Sequence, residues 1–336
     1  MINIGVIGCG YWGPNLIRNF VFNEKTDVVS VCDLRKERLD FIKRVYPFVD
    51  ITDKSEEVTS DNRIDAIAIS TPPSTHYGLA KSALENGKHV LIEKPMTVSS
   101  EEGEELIEIA EKNNKILMVD HTYVFTTAVR KIKEIYDSGE IGDVLYYDSV
   151  RINLGLFQQD INVIWDLAPH DLSIMNYILQ KDYKKVSAIG VSHANPEIEN
   201  IAYMTVHFDE NLIAHFHLNW LAPVKIRLTL IGGSKKMIVY DDMEPTDKVK
   251  VYDKGIEIRN IPEEVYNILI SYRTGDIYIP KIENIEALKI ETDHFAHCVE
   301  TGEKPVTDGE FGLTVVKILE AAQRSIKNGG RIEEIK

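Results

Sequence analysis

The sequence predicts an α/β protein in which a doubly wound parallel sheet is followed by an α+β domain with a large open, mainly antiparallel sheet. In the first 121 residues, short apolar segments alternate with amphipathic ones, a pattern typical of strands and helices in a parallel sheet. A glycine-rich turn lies between the first strand and the first helix. Beyond residue 121, longer segments alternate apolar and polar residues with a period of two, which favours antiparallel strands.

The first part of the chain is predicted to supply the parallel sheet. Its predicted strands are 2–7, 28–32, 66–70, 89–92 and 116–119. The helices predicted between them are 14–22, 35–45, 77–86 and 100–113. We therefore expect a first domain of residues 1–121 and a second domain of residues 122–336.

The second part is predicted to form the open sheet. Its predicted strands are 144–153, 186–193, 202–208, 212–220, 225–231 and 236–240. Its predicted helices are 127–138, 172–179, 287–300 and 312–327. Strand 212–220 has apolar residues at every second position from Leu212 to Trp220, so one face should be buried while His215 and His217 lie on the other. An uncovered sheet face favours a homodimer or homotetramer through this domain.

Composition sets further bounds on the class of protein. A length of 336 residues favours two domains at about 150 residues each. The net charge of −15 disfavours nucleic acid or an anionic membrane as a partner. The three cysteines are too few and too scattered for a disulfide framework. Because no signal-peptide pattern and no run of roughly 18 apolar residues is visible, we expect a cytoplasmic protein.

A dinucleotide site is predicted at the first turn. Residues 8–13, Gly-Cys-Gly-Tyr-Trp-Gly, match the pattern G-x-G-x-x-G between a strand and a helix. Gly8 permits the tight turn, Gly10 lets the backbone approach a pyrophosphate, and Gly13 allows close packing of the helix on the strand. Asp33 follows the second strand, where a carboxylate accepts hydrogen bonds from the adenosine ribose. The alternative is a ligand-free glycine turn and a surface aspartate.

The same aspartate favours NAD over NADP, because it repels a 2′-phosphate. Arg35 and Arg38 are close enough in sequence to offset part of that repulsion. We expect NAD as the cofactor and NADP as the less favoured one.

Two further motifs follow predicted parallel strands. The segment STPPSTH occupies residues 70–76, and the segment EKP occupies residues 93–95. Ligands of open α/β sheets bind at these carboxyl ends. A residue before proline has an extended backbone, so the side chain of Lys94 has a defined direction. The alternative for Lys94 is a solvated surface lysine.

A possible acid–base pair lies in the second domain. Asp166 and His170 are four residues apart in the segment WDLAPHD, so on a helix they project from the same face. A carboxylate beside an imidazole orients the ring and raises its basicity, which suits a general base. Alternatively, Asp166 caps the helix and His170 is a surface histidine.

Together these motifs resemble those of the Gfo/Idh/MocA oxidoreductases, which include glucose-fructose oxidoreductase and inositol dehydrogenase. The resemblance covers nearly the whole chain and extends to the closing segments EKPVTDGEFG and ILEAAQRS. It implies an N-terminal Rossmann domain and a C-terminal α/β domain for substrate binding and oligomer contact. It also implies that Lys94, Asp166 and His170 are the catalytic trio. Ala168 stands where the family often has a glycine.

Within that family, the segments GYWGPN, NLGLFQQDINVIWDLAPHDLSI and GGSKKMIVYDD look similar to members of nucleotide-sugar biosynthesis. The resemblance implies oxidation of the 3-hydroxyl of a UDP-linked N-acetylhexosamine or its uronate. His170 would take the hydroxyl proton and Lys94 would stabilise the alkoxide, although an exchange of these roles stays open. No metal is expected, because Lys94 supplies the positive charge and no clustered ligand spacing is present.

Two other functions stay open. One is a dehydrogenase or reductase of a free polyol or sugar, such as inositol or glucose. The other is a dinucleotide-binding sensor without catalysis, against which the retained trio argues.

The complete set of site predictions has two parts. Cofactor contacts are assigned to Gly8, Gly10, Tyr11, Trp12, Gly13, Asp33, Arg35, Arg38, Ser70, Thr71, Pro72, His76, Glu93 and Lys94. Substrate contacts are assigned to Lys94, Tyr123, Arg151, Asn153, Asp166 and His170. Arg151 suits a phosphate or carboxylate, with a solvated edge-strand arginine as the alternative.

Overall fold

The computed structural model describes residues 1–155, 161–193, 195–196, 198–209, 211–253, 255–258 and 270–336. Its strands are β1 (Ile2–Ile7), β2 (Thr26–Cys32), β3 (Asp50–Thr52), β4 (Ala66–Ile69), β5 (His89–Glu93), β6 (Leu117–Asp120), β7 (Val144–Leu154), β8 (Tyr183–Val191), β9 (Ile201–Phe208), β10 (Ile213–Asn219), β11 (Leu221–Gly233), β12 (Met237–Asp241), β13 (Val249–Tyr252), β14 (Gly255–Ile258), β15 (Ile270–Arg273), β16 (Ile277–Tyr278) and β17 (Glu333–Glu334). Its helices are α1 (Gly13–Phe22), α2 (Lys36–Val45), α3 (Ser55–Thr59), α4 (His76–Glu85), α5 (Ser100–Lys112), α6 (Thr127–Asp137), α7 (Val163–Leu179), α8 (Ala287–Thr301) and α9 (Gly309–Lys327). Within these residues, no helix combines the length and the apolar character needed to cross a membrane.

The chain divides into two compact units. The first unit consists of Met1–Thr126 and Ile285–Glu320, and the second unit consists of Thr127–Asn284 and Ala321–Lys336. This differs from the sequence-based division, which assigns all of 122–336 to the second domain. The physical reason is that α8 and the larger, N-terminal part of α9 pack within the first unit. Phe295 on α8, for example, meets Phe20 on α1 with ring centroids 6.2 Å apart.

The first unit contains a parallel sheet with the strand order β3-β2-β1-β4-β5-β6. All neighbouring strands in it run parallel, as the sequence predicts. The order reverses direction between β1 and β4, and such a switch point opens a crevice at the carboxyl ends of the strands. The central strands are apolar and buried, with Ile4 and Ile67 wholly inaccessible, which explains why helices must cover both faces.

The second unit contains, among the described residues, a sheet with the order β16-β13-β12-β11-β7-β10-β9-β8-β17. Its neighbours run antiparallel except for β7 and β10, which run parallel. On β10, Phe216 and Leu218 are wholly buried, whereas Ile213 on the opposite face is 46% exposed. The predicted alternation is therefore confirmed. Helix α7 packs against β7, β9 and β10.

Helix α7 begins well before Leu172, the predicted start. Asn162 caps it, because its side-chain oxygen accepts hydrogen bonds from the amides of Ile164 and Trp165 at 3.1 and 3.2 Å. Pro169 lies inside the helix and has no N–H to offer the carbonyl four residues earlier. The predicted start was therefore wrong, because the asparagine cap stabilises an earlier turn and the helix continues through Pro169.

Candidate active site

The glycine turn has the geometry that a pyrophosphate needs. Gly8 has φ of +102°, and a Cβ there would lie 2.2 Å from the carbonyl oxygen of Ser70. A Cβ on Gly13 would lie 2.1 Å from the carbonyl oxygen of Gly8. A Cβ on Gly10 would meet only Arg35, at 3.7 Å. Packing therefore requires glycine at positions 8 and 13, and Gly10 leaves open the approach to the amides that begin α1.

Asp33 lies at the end of β2 with its carboxylate already oriented. Its Oδ2 accepts a hydrogen bond from the amide of Cys9 at 2.7 Å, and its Oδ1 accepts one from the amide of Arg35 at 2.9 Å. Burial opposes ionisation, but hydrogen bonds from Arg35 and Cys9 outweigh it, so the pKa of Asp33 lies below its ordinary value. The group is an ionised acceptor, which fits the ribose hydroxyls of NAD.

Arg35 extends from the same corner. Its guanidinium Nε donates to Oδ1 of Asp33 at 3.1 Å, and its side chain is 49% exposed. Arg38 is exposed on α2. A cation thus stands beside the expected ribose position, where it offsets the repulsion that Asp33 exerts on a 2′-phosphate.

His76 connects the loop that follows β4 with the loop that follows β5. Its ring is wholly buried, and its nitrogens lie 2.9 Å from the carbonyl oxygens of Pro95 and Thr71. Burial lowers the pKa of His76 below its ordinary value, and a neutral ring has one N–H to donate. His76 therefore positions the backbone at this edge. Ser70 and Thr71 are half-buried beside it, and Pro72 is exposed.

Lys94 follows β5 at the same carboxyl edge. It is half-buried, and its amide donates a hydrogen bond to Oε2 of Glu93 at 3.0 Å. Desolvation, followed by the charge of Asp120, raises the pKa of Glu93 well above its ordinary value. An ammonium group at this edge suits the stabilisation of negative charge on an alcohol oxygen.

The sequence reasoning missed Asp120, which ends β6 and is almost wholly buried. Its Oδ2 accepts a hydrogen bond from the indole Nε1 of Trp12 at 2.9 Å, and its Oδ1 accepts one from the Thr122 hydroxyl at 2.5 Å. Trp12, predicted to contact the cofactor, therefore connects the glycine turn to the last strand. The rule that ligands gather where parallel strands end would have identified Asp120.

His121 and Glu291 were also missed. Both are buried, and neither the ring nitrogens of His121 nor the carboxyl oxygens of Glu291 have a hydrogen-bond partner of good geometry among the described residues. Burial, with a smaller contribution from Lys94, lowers the pKa of His121 to about 3. Desolvation, followed by Asp120, raises the pKa of Glu291 well above its ordinary value. The available signal was a glutamate on the apolar face of α8, one turn from Leu288.

In the second unit, α7 carries Asp166 and His170 one turn apart on one helix. Oδ2 of Asp166 accepts a hydrogen bond from the indole Nε1 of Trp220 at 3.0 Å. The backbone carbonyl of His170 accepts a hydrogen bond from the Ser173 hydroxyl at 2.8 Å. The side chains of Asp166 and His170 are half-buried. Their backbone is fixed in the helix, and solvent or a ligand can reach both side chains.

Arg151 has a different environment from the one expected. It is 3% exposed, and its Nε and Nη2 donate to the two carboxylate oxygens of Asp171, each at 2.8 Å. Such a two-point pair is strong and directional. The pair joins β7 to α7. Nε and Nη2 of Arg151 therefore bind the helix through Asp171, and not a phosphate of the substrate.

The remaining predicted residues are placed as follows. Tyr11 is 91% exposed in the glycine turn. Tyr123 and Asn153 are half-buried, in the first and second unit respectively. Their contacts with cofactor or substrate stay predictions. No group of His, Cys, Asp and Glu able to hold a metal ion occurs in the part of the chain that the structure describes.

Comparisons with known proteins show to which family the chain belongs. Residues 2–121 match the family described as an oxidoreductase family with an NAD-binding Rossmann fold, and residues 129–239 match the GFO/IDH/MocA C-terminal domain. The scyllo-inositol 2-dehydrogenase (NAD(+)) of Bacillus subtilis is 26% identical, over 98% of this chain and 95% of that protein. The myo-inositol 2-dehydrogenase of Thermotoga maritima is 23% identical, over 99% of each.

Solved structures share the fold. UDP-N-acetylglucosamine 3-dehydrogenase GnnA from Acidithiobacillus ferrooxidans has a TM-score of 0.82 at 21% identity, over 97% of this chain and 98% of that one. Levoglucosan dehydrogenase in complex with NADH has a TM-score of 0.84 at 17% identity, over 100% and 99%.

The fold and the first-unit site define an oxidoreductase with an NAD-binding Rossmann domain, and NAD is its cofactor. Gly8 to Gly13 and Asp33 fit that cofactor, since they leave room for the pyrophosphate and present an ionised acceptor. More particularly, the chain belongs to the GFO/IDH/MocA family. The non-catalytic sensor is therefore set aside.

Proposed function

We propose that the chain oxidises a secondary alcohol on a sugar or polyol ring, and that its substrate is a UDP-linked N-acetylhexosamine or its uronate, oxidised at the 3-hydroxyl. The observation that carries the oxidation step is Lys94 at the carboxyl end of β5, in the same sheet as the glycine turn. The choice of a sugar nucleotide is supported by the three segments that resemble nucleotide-sugar members.

The proposed chemistry assigns one role to each residue. NAD, when bound, supplies the acceptor for the hydride that leaves the carbinol carbon. Lys94, as the ammonium, donates a hydrogen bond to the alcohol oxygen and stabilises the negative charge that develops there. An imidazole nitrogen of His170 takes the hydroxyl proton, so that the alcohol loses one proton and one hydride and becomes a ketone. Asp166 fixes the tautomer of that imidazole.

A free polyol is the second candidate, and two observations favour it. The inositol dehydrogenases named above are relatives over nearly the full chain. In addition, Arg151 is held by Asp171 in a buried pair, so the cation assigned to a phosphate or carboxylate has another task.

The test is turnover of the purified protein with NAD. The substrates are UDP-N-acetylglucosamine, its uronate, scyllo-inositol, myo-inositol and glucose, and formation of NADH is followed by absorbance. Preferred turnover of a sugar nucleotide supports the proposal. Turnover of a free polyol alone contradicts the proposed substrate and leaves the oxidation step intact.

We further propose a homodimer or homotetramer through the open sheet face. Three large side chains on that face are each more than 40% exposed: Ile189, Tyr203 and Ile213. Exposure of neighbouring apolar side chains to water is unfavourable unless another protomer covers them. Light scattering should report an oligomer, and Ile213→Asp should dissociate it. A monomeric wild-type protein would contradict this proposal.

A cytoplasmic location also stays a proposal. Its support is that Cys9, Cys32 and Cys298 are all unpaired thiols in the structure, as is usual in reducing compartments.

A further inference from the structure

We propose that Trp220 is a positioning residue for Asp166. Its indole N–H fixes the orientation of the carboxylate that acts on His170. The inference rests on the proposed function, in which Asp166 and His170 handle the substrate proton.

The indole of Trp220 is held in one orientation. The residue is wholly buried directly after β10. Its amide donates to the carbonyl of Asn200 and its carbonyl accepts from the amide of Gly155, each at 2.9 Å. A Cβ on Gly155 would lie 2.6 Å from Cδ1 of the indole, so the glycine backbone packs directly on the ring. The ring therefore cannot turn without disturbing its neighbours.

The donor is directed at a functional acceptor. An indole has a single N–H and no acceptor, and here that N–H lies 3.0 Å from Oδ2 of Asp166. Asp166 stands in the first turn of α7, where a negative charge is also favoured by the helix dipole. The hydrogen bond fixes the rotation of the carboxylate plane, and with it the direction in which the other oxygen points.

The choice of a neutral donor matters for the chemistry. Asp171, on the same helix, is paired with the guanidinium of Arg151, a contact that neutralises its charge. Asp166 receives its hydrogen bond from the indole of Trp220, a donor that orients the carboxylate and carries no charge of its own. A carboxylate held in this way can still stabilise the imidazolium that forms when His170 takes a proton.

The decisive experiment removes the N–H and keeps the shape of the ring. Trp220 is replaced site-specifically by benzothienylalanine, in which sulfur stands in place of the indole N–H, and Trp220→Phe serves as a second variant. We expect kcat to fall about 10- to 100-fold, as for the loss of one hydrogen bond to a charged group, with an unchanged KM for NAD. Asp166→Asn combined with the benzothienylalanine replacement should lose little more than Asp166→Asn alone.

The matched control is Phe216→Leu. Phe216 is wholly buried on β10, the strand that precedes Trp220, and packs against Tyr147. This variant therefore loses packing and leaves the side chains of Trp220 and Asp166 unchanged. We expect its kcat to stay within about twofold of the wild type. Full kcat with benzothienylalanine, or an equal loss in Phe216→Leu, would overturn the positioning role.

A spectroscopic readout tests the contact without any substrate. The chain has three tryptophans, so three indole N–H signals are expected in a ¹H–¹⁵N spectrum, and Trp220→Phe assigns one of them. Asp166→Asn should move the Trp220 signal upfield and leave that of Trp12, which bonds to Asp120, unchanged. An unmoved Trp220 signal contradicts the inference. A moved signal without turnover on any sugar or polyol contradicts the proposed function alone.

Discussion

Each unit contains a tryptophan indole that donates to an aspartate, and the two pairs differ in what surrounds them. In the first unit, Trp12 donates to Asp120 at 2.9 Å, and in the second unit, Trp220 donates to Asp166 at 3.0 Å. Asp120 is almost wholly buried, and its charge adds to desolvation in raising the pKa of both Glu93 and Glu291. Asp166 is half-buried at the beginning of a helix.

The difference teaches how one donor can serve two purposes. The first unit places carboxyl groups together in its interior, and burial with the charge of Asp120 favours retention of protons by Glu93 and Glu291. In the second unit, Asp171 is paired with Arg151, and Asp166 accepts a hydrogen bond from the indole of Trp220. We infer that the carboxyl groups around Asp120 control the charge near Lys94. The hydrogen bond from Trp220 controls the orientation of the Asp166 carboxylate. Four predictions test this comparison, from the largest expected effect to the smallest.

Lys94→Ala removes the cation at the carboxyl end of β5 and should lower kcat about 1,000-fold, because the developing alkoxide loses its stabilising charge. Affinity for NAD, measured by calorimetry, should be retained. Lys112→Ala, at an exposed position on α5, is the control and should turn over like the wild type. Unchanged kcat in Lys94→Ala would remove Lys94 from the catalytic trio.

Arg151→Met breaks the buried pair of the second unit. The free energy of unfolding in chemical denaturation should fall by about 3–5 kcal/mol, since the carboxylate of Asp171 is left buried without its cation. The double variant Arg151→Met/Asp171→Leu should recover most of that loss. Lys184→Ala, which breaks an exposed pair with Asp209, should have little effect. If Arg151→Met and Lys184→Ala lowered the free energy of unfolding equally, burial would not explain the strength of the Arg151–Asp171 pair.

Glu291→Gln tests the retained protons of the first unit. The pKa of Glu291 is raised above 4.5 in the folded protein, so its contribution to stability is present below that pH and is lost as pH rises toward the folded pKa. Glutamine has no such loss. The stability of the variant relative to the wild type should therefore grow with pH above about 4.5, by up to about 1.4 kcal/mol per pH unit.

Thermal unfolding from pH 5 to pH 7 measures this change. Glu111→Gln, at an exposed position on α5, should run parallel to the wild type. A Glu291→Gln curve that is also parallel to the wild type would show that Glu291 holds no extra proton.

Arg35→Ala has the smallest expected effect. Without the guanidinium beside Asp33, KM for NADP should rise about fivefold and KM for NAD should change less, because only the 2′-phosphate needs that cation. Steady-state kinetics with both cofactors measures the ratio. Arg44→Ala, at the other end of α2, is the control, and an equal change in both variants would exclude a role at the ribose.

The sequence by itself determined the elements whose signals are local. The alternation of strands and helices predicted the parallel sheet. Gly8, Gly10, Gly13 and Asp33 could be predicted as cofactor contacts because one turn and one strand end carry the whole pattern. Lys94 could be predicted as a site residue because the carboxyl ends of parallel strands meet at one edge of a sheet.

Only the tertiary structure decided which distant groups meet. Trp220 and Asp166 are 54 positions apart, and their contact depends on how α7 packs on the sheet of the second unit. Burial and the charge of Asp120 raise the pKa of Glu291 because α8 packs within the first unit. Local patterns give the face of a strand or helix, but register and helix packing depend on the whole core. In the sequence, Arg151 was therefore predicted to bind the substrate. In the fold, it forms a buried ion pair that joins β7 to α7.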